Sequence, residues 1–150
     1  MMNKVIGKTP TPENPVFSTY MKVRFNDVNL GNHLDYAALL EIVGNARAQF
    51  FKSHGCNELD IDGVGIIVKS LYVEYISEAK FDDLLEIHLY LANVKNSNFE
   101  MIFLVKNNYS GNDVAKISKK IAFFDYKQKR ICAMPNKFIS MIKRDEKVEE

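Results

Sequence analysis

Five polar residues fall between positions 27 and 35: Asp27, Asn29, Asn32, His33 and Asp35, in the segment RFNDVNLGNHLDYAALLEIVGNAR. They stand just ahead of an apolar pattern with helical spacing, and such residues at a helix start can do chemistry. A carboxylate or an imidazole can take a proton from water or attack directly. An asparagine amide cannot act as a base, but it can hold a water or a carbonyl, because it offers both a donor and an acceptor. The free N–H groups of a helix's first turn are electrostatic partners for a developing oxyanion. Each residue also has a structural reading. Asp35 can be a plain N-cap, Asp27 an Asx-turn residue, Asn29 a loop residue, and His33 a histidine that fixes the turn through a loop carbonyl.

The elements around this loop must position it. Apolar and β-branched residues from Val16 to Arg24 predict a strand. Tyr36, Leu39, Leu40, Val43, Ala46 and Phe50 recur at spacings of three and four and predict one long helix. Asp35 or Asn32 can cap its start, and Lys52, His54 and Gly55 suit its end. Gly44, costly inside a helix by about 1 kcal/mol against Ala, marks a place where the helix would sit tight on a sheet. Glu41 reads as a solvated helix residue.

After Gly63 the period changes to two. GVGIIVKSLYVEYI, LLEIHLYLANV, NFEMIFLVKN and VAKISKKIAFFDY read as four long strands, separated by the turns KFDD, KNSN, SGND and KQKR. Short turns between them predict an antiparallel meander. Pro135 and the apolar NKFISMI close the chain, as a short helix. The fold class is therefore α+β, with one helix to cover one face of one sheet. A curved sheet wrapped around that helix leaves edges for a second copy, so at least a dimer is expected.

The 150 residues make one domain, with residues 1–15, which hold three of the four prolines, as a flexible arm and residues 16–150 as the domain. The formal net charge of +1 gives no field for a nucleic-acid partner. The lysines at 116, 119 and 120 read as a solvated strand face. Cys56 and Cys132 have no CxxC partner, so no zinc motif is visible and no disulfide framework forms; they read as free thiols in a reducing compartment. Residues 1–15 carry no apolar stretch of a secretory signal and no run is long enough to span a membrane, which predicts a cytoplasmic protein.

The loop and helix together resemble the hotdog fold, and more narrowly the 4-hydroxybenzoyl-CoA thioesterase-like group. That group carries a pattern close to R-[YF]-x-[DE]-T-D-x-x-G-H-V-N-N-x-x-Y-L, often followed by Ala-Arg. Arg24, Phe25, His33, Leu34 and Ala46-Arg47 match it without a gap, and YVEYISEAKFDD and KRICAMP resemble later parts of the family. The resemblance implies a curved antiparallel sheet around one long central helix, and hydrolysis of an acyl-CoA thioester, with no cofactor beyond the CoA of the substrate. The family's catalytic aspartate falls on Asn29, its glycine on Asn32, and its Asn-Asn pair on Asp35 and Tyr36.

By the same resemblance the catalytic candidates are Asp27, Asn29, His33 and Asp35, with the backbone N–H of Tyr36 facing the substrate carbonyl. Cations on late strands and turns, Lys119, Lys120, Lys127 and Arg130, with Lys95 beside them, would meet the CoA phosphates. A small-molecule acyl thioester is the expected partner, an acyl carrier protein ester a variant of it, and a homodimer or homotetramer the assembly. The loss of the aspartate leaves a second reading open, a hotdog protein that binds acyl thioesters without hydrolysing them. A hotdog dehydratase ranks below both, since HLDYAAL lacks the motifs of those enzymes.

Overall fold

A computed structural model describes the backbone of residues 4–6 and 9–149 and the side chains of residues 12–142. Near the N-terminus, β1 (Lys4–Ile6) pairs with β2 (Thr9–Thr11). The expected arm falls partly outside the described residues. The main body follows as β3 (Phe17–Lys22), a 3-10 turn (Phe25–Asp27), α1 (Tyr36–Ser53), β4 (Gly65–Tyr75), β5 (Leu84–Ala92), β6 (Asn98–Asn107), β7 (Asp113–Asp125), β8 (Arg130–Ile131) and α2 (Asn136–Glu149).

The sheet is antiparallel, in the order β3-β5-β6-β7-β4, with β8 added to the end of β7. This corrects the expected four-strand meander. Strands β5, β6 and β7 do follow one another, but β4 lies beyond β7 at the far edge, in the register Tyr75↔Ala115, Val73↔Ile117 and Leu71↔Lys119. The connector after Tyr75 crosses the end of the sheet instead of turning back as a hairpin. It is held there by hydrogen bonds from Ile76 N and Ser77 N to Val114 O.

One face of the sheet carries the core. Phe99, Met101, Phe103 and Val105 of β6 and Ile117, Ile121 and Phe123 of β7 meet Leu39, Ile42, Val43, Ala46 and Phe50 of α1, and Phe138 of α2 closes one end against Phe99 and Phe123. Burial of these apolar groups is the main stabilising contribution. The helix starts where Asp35 Oδ2 accepts from Ala37 N at 3.1 Å, and stops where Gly55 takes a φ of 74°. Two details of the expected helix face change. Tyr36 is exposed, because it sits at the first helical position ahead of the buried stripe. A Cβ on Gly44 would meet nothing within 4 Å, so this glycine marks no close approach to the sheet within the chain.

The lysines on β7 also need correction. Lys116 and Lys119 are buried, and only Lys120 is exposed. Lys119 shares strand parity with Ile117 and Ile121, so it points to the core face under α1, while Lys120 points to the other face.

Candidate active site

The loop between β3 and α1 is held by its own polar residues. Asp27 is 2% exposed. Its carboxylate accepts from Arg24 N at 2.8 Å, Arg24 Nε at 3.1 Å and Arg24 Nη2 at 3.0 Å. The Arg24 hydrogen bonds hold its pKa below the usual carboxylate value, against the opposing effect of burial. A carboxylate so engaged is a weak base. Its backbone carbonyl accepts from Asp35 N at 2.8 Å, which sets the N-cap in place.

Asn29 closes the tip. Its Oδ1 accepts from Gly31 N at 3.0 Å and His33 N at 3.2 Å, while its own N–H donates to His33 O at 2.9 Å. Asn32 has a φ of 59°, in the left-handed region. The family pattern has glycine at this position, and asparagine is among the few other residues that adopt this conformation at small cost. Asn32 Oδ1 also accepts from Phe81 N at 3.3 Å, and Leu34 N donates to Ala79 O at 2.8 Å. The loop is thus fastened to the connector that leaves β4.

That connector brings Glu78 to His33, with Oε2 3.2 Å from Nε2. The pair borders a cavity of about 280 Å³ between the loop, the start of α1 and the end of β4, lined also by Leu39, Tyr75, Ser77 and Val114. On the other side of the loop lies a hollow of about 620 Å³ lined by Phe25, Val28, Asn29, Leu30, Asn32 and Phe81. Phe25 and Phe81 stand edge to face there, 6.3 Å apart.

The structure therefore distributes the candidates rather than gathering them. Asp27 is buried on Arg24, Asn29 faces one hollow, His33 faces the other with Glu78, and Asp35 caps the helix. The N–H of Tyr36 has no hydrogen-bond partner among the described residues, as expected of a first-turn donor. Asp35 and Tyr36 lie close enough to Tyr75 to raise its phenol pKa, although burial is the larger cause. Glu78 is the residue that sequence reasoning missed. It lies in YVEYISEAKFDD, but an acidic residue past a strand end looks like any solvated charge.

Of the cations proposed for CoA phosphates, Lys120, Lys127 and Arg130 are exposed on β7 and the β7–β8 turn. Lys119 is separated from Lys120 by the sheet, because adjacent residues of a strand point to opposite faces. Its ammonium stands 5.2 Å from the centroid of the Phe103 ring, and its pKa is pushed down to about 8 by burial, with the Arg47 charge adding to the shift and Glu58 opposing it. Arg47 itself bonds Glu58, with Nη2 2.6 Å from Oε2.

Residues 23–142 match the family model of the thioesterase-like superfamily. The chain belongs to that superfamily, a class of thioester hydrolases, and its sheet and helix make the hotdog fold. Among solved structures it is similar to a 1,4-dihydroxy-2-naphthoyl-CoA thioesterase from Synechocystis, with a TM-score of 0.77 at 12% identity over 84% of this chain and 94% of that one. A protein from Staphylococcus aureus in complex with CoA gives a TM-score of 0.79 at 17% identity, over 98% of this chain and 87% of that one. A mutant 4-hydroxybenzoyl-CoA thioesterase, with asparagine in place of an aspartate and 4-hydroxybenzoyl-CoA bound, gives 0.73 at 18% identity over 83% of this chain and 96% of that one. No curated protein sequence matches significantly.

Proposed function

We propose that this chain hydrolyses acyl-CoA thioesters, with His33 as general base and Glu78 as the residue that orients it. The observation that carries the reading is the His33–Glu78 pair at 3.2 Å on a cavity beside a free helix N-terminus. A carboxylate at Nε2 favours the tautomer with its proton there, leaving the Nδ1 lone pair for water. Nδ1 takes a proton as the water oxygen bonds the thioester carbon. The oxyanion is held by Tyr36 N–H. The C–S bond then breaks, and the imidazolium returns its proton to the leaving CoA thiolate. The scheme uses water and side chains, with CoA entering as part of the substrate. Lys120, Lys127 and Arg130 are the exposed cations for its phosphates.

Asn29 supports a second reading, binding without turnover. It stands where the family places its aspartate, and an aspartate-to-asparagine mutant of 4-hydroxybenzoyl-CoA thioesterase holds its thioester in a crystal.

We further assign a homodimer formed along β4, an edge strand of 11 residues with Ile67, Val68, Leu71 and Tyr72 exposed. Among the described residues no helix is long and apolar enough to cross a membrane. The two free cysteines suit a reducing, cytoplasmic compartment.

The test is thiol release from a panel of acyl-CoA and acyl-carrier-protein esters, with His33→Asn and Glu78→Gln alongside the wild type. Loss of at least about 10²-fold in His33→Asn, with a smaller loss in Glu78→Gln, is expected of a base and its orienter. Wild-type rates in a folded His33→Asn chain overturn the assignment. Tight acyl-CoA binding with no thiol release from any ester establishes the second reading instead.

A further inference from the structure

The cavity at His33 has four polar side chains in its wall: His33, Glu78, Ser77 and Tyr75. His33 and Glu78 bond each other, and the Ser77 hydroxyl donates to Asp113 O. The Tyr75 hydroxyl is different. It makes no hydrogen bond among the described residues, and the side chain is 58% exposed, within reach of anything that enters the cavity. A phenol offers one O–H donor, and here the chain itself does not use it.

The register says where that donor stands. Tyr75 ends β4 opposite Ala115, two residues past Val73, which is opposite Ile117. Cross-strand neighbours share a face, and Ala115 and Ile117 are fully buried in the core that α1 covers. Tyr75 therefore points to the α1 side of the sheet, where Leu34 and Leu39 form the facing wall of the cavity. Burial raises its phenol pKa, and the Asp35 carboxylate and the Tyr36 phenol raise it further, so its oxygen lies by the start of α1 and keeps its proton at neutral pH. The backbone beneath it is fixed, since Ile76 N and Ser77 N donate to Val114 O at 2.9 and 3.1 Å.

We propose that Tyr75 is the second oxyanion donor of the reaction, its O–H bonding the thioester carbonyl oxygen together with the N–H of Tyr36. The phenol keeps its proton throughout. Its hydrogen bond strengthens as the water oxygen bonds the carbonyl carbon and negative charge gathers on the carbonyl oxygen. It weakens again when the C=O bond re-forms, the C–S bond breaks and the CoA thiolate takes the proton from His33. A bond that strengthens only with this charge acts on kcat rather than on KM. The inference rests on the thioesterase reading, but contact of the donor with the carbonyl can also be read in a complex that does not turn over.

The test is Tyr75→Phe, which removes the hydroxyl and keeps the ring. The hydroxyl bonds nothing among the described residues, so the variant should melt as the wild type does. On the best ester of the panel its kcat should fall by about 10²–10³-fold, with KM changed by less than about threefold. The second measurement is infrared difference spectroscopy of an acyl-CoA isotopically labelled at the thioester carbonyl, bound to His33→Asn and to the His33→Asn, Tyr75→Phe double variant. Binding should move the carbonyl stretch to lower frequency, and by less in the double variant. A Tyr75→Phe kcat within about twofold of wild type overturns the inference, as does an equal carbonyl shift in the two chains. If the wild type binds esters without releasing thiol, the same spectra decide: a smaller shift without Tyr75 upholds the donor while the hydrolase reading fails. A chain that binds no acyl-CoA ester overturns both.

Discussion

The side-chain oxygen of Asn29 accepts a hydrogen bond from the backbone N–H of His33 at 3.2 Å. The residue standing where the family has its aspartate therefore holds the loop around the histidine proposed as base. The second bond of the same oxygen, to Gly31 N, closes an Asx-type turn. A carboxylate could accept both bonds without moving the backbone.

Asn29→Asp should accordingly fold as the wild type does and gain activity. Position 29 faces the hollow across the loop from His33, so a gain requires that the thioester carbonyl be reached from that side by a second base or nucleophile, and thiol release should then rise on the order of 10²-fold. Steady-state assays on the best ester of the panel check this. Unchanged rates would show that position 29 is remote from the reacting carbonyl. Asn29→Ala should cost stability, about 1–2 kcal/mol for the two lost acceptor bonds, read as a fall in Tm.

The pH dependence of stability should carry a signature of Asp27. Its folded pKa is depressed, so the unfolded chain binds the proton more readily. The contribution is fully present above the unfolded carboxylate pKa, about 3.9, and is lost as pH falls through the lower folded value. Asp27→Asn should destabilise the protein at pH 7 by about 1–3 kcal/mol, since a buried acceptor of three bonds is impaired. Urea titrations at pH 7 and at pH 3 should differ less for the variant than for the wild type.

Asn32 tests the backbone. With φ at 59°, Asn32→Gly should be tolerated within a few tenths of a kcal/mol, apart from the lost bond to Phe81 N. Asn32→Val should cost about 1–2 kcal/mol, because a β-branched side chain clashes in the left-handed region. Thermal melts of the two variants give the comparison, and equal Tm values would contradict it.

Charging the open edge tests the assembly. Ile67→Lys combined with Tyr72→Lys should halve the solution mass in light scattering, since lysines on an edge strand oppose strand pairing. A wild-type mass equal to one chain would remove the basis for the dimer.

Much of the fold was legible because it is local. The alternation in LLEIHLYLANV, NFEMIFLVKN and VAKISKKIAFFDY gives β5, β6 and β7, and the 3.6-residue spacing gives α1. The place of β4 was not legible, since a two-residue period says where a strand is and nothing about its neighbour. Lys119 has the parity of Ile117 and Ile121, but its charge argued for solvent, and only the packed fold encloses it. Glu78 escaped notice for a related reason. It reaches His33 only because the connector from β4 crosses the sheet's end.

That connector has a mechanical consequence. Glu78, Ala79 and Phe81 each hold the loop ahead of α1, through His33, Leu34 and Asn32 in turn. The same connector begins at the last residue of the sheet's exposed edge strand. Edge and loop are thus tied through one short segment, so a shift of β4 on pairing with a second copy would be passed to the distance from Glu78 to His33. Turnover per chain should then fall on dilution through the dissociation range of the proposed dimer, even though His33, Glu78 and Tyr36 belong to a single chain.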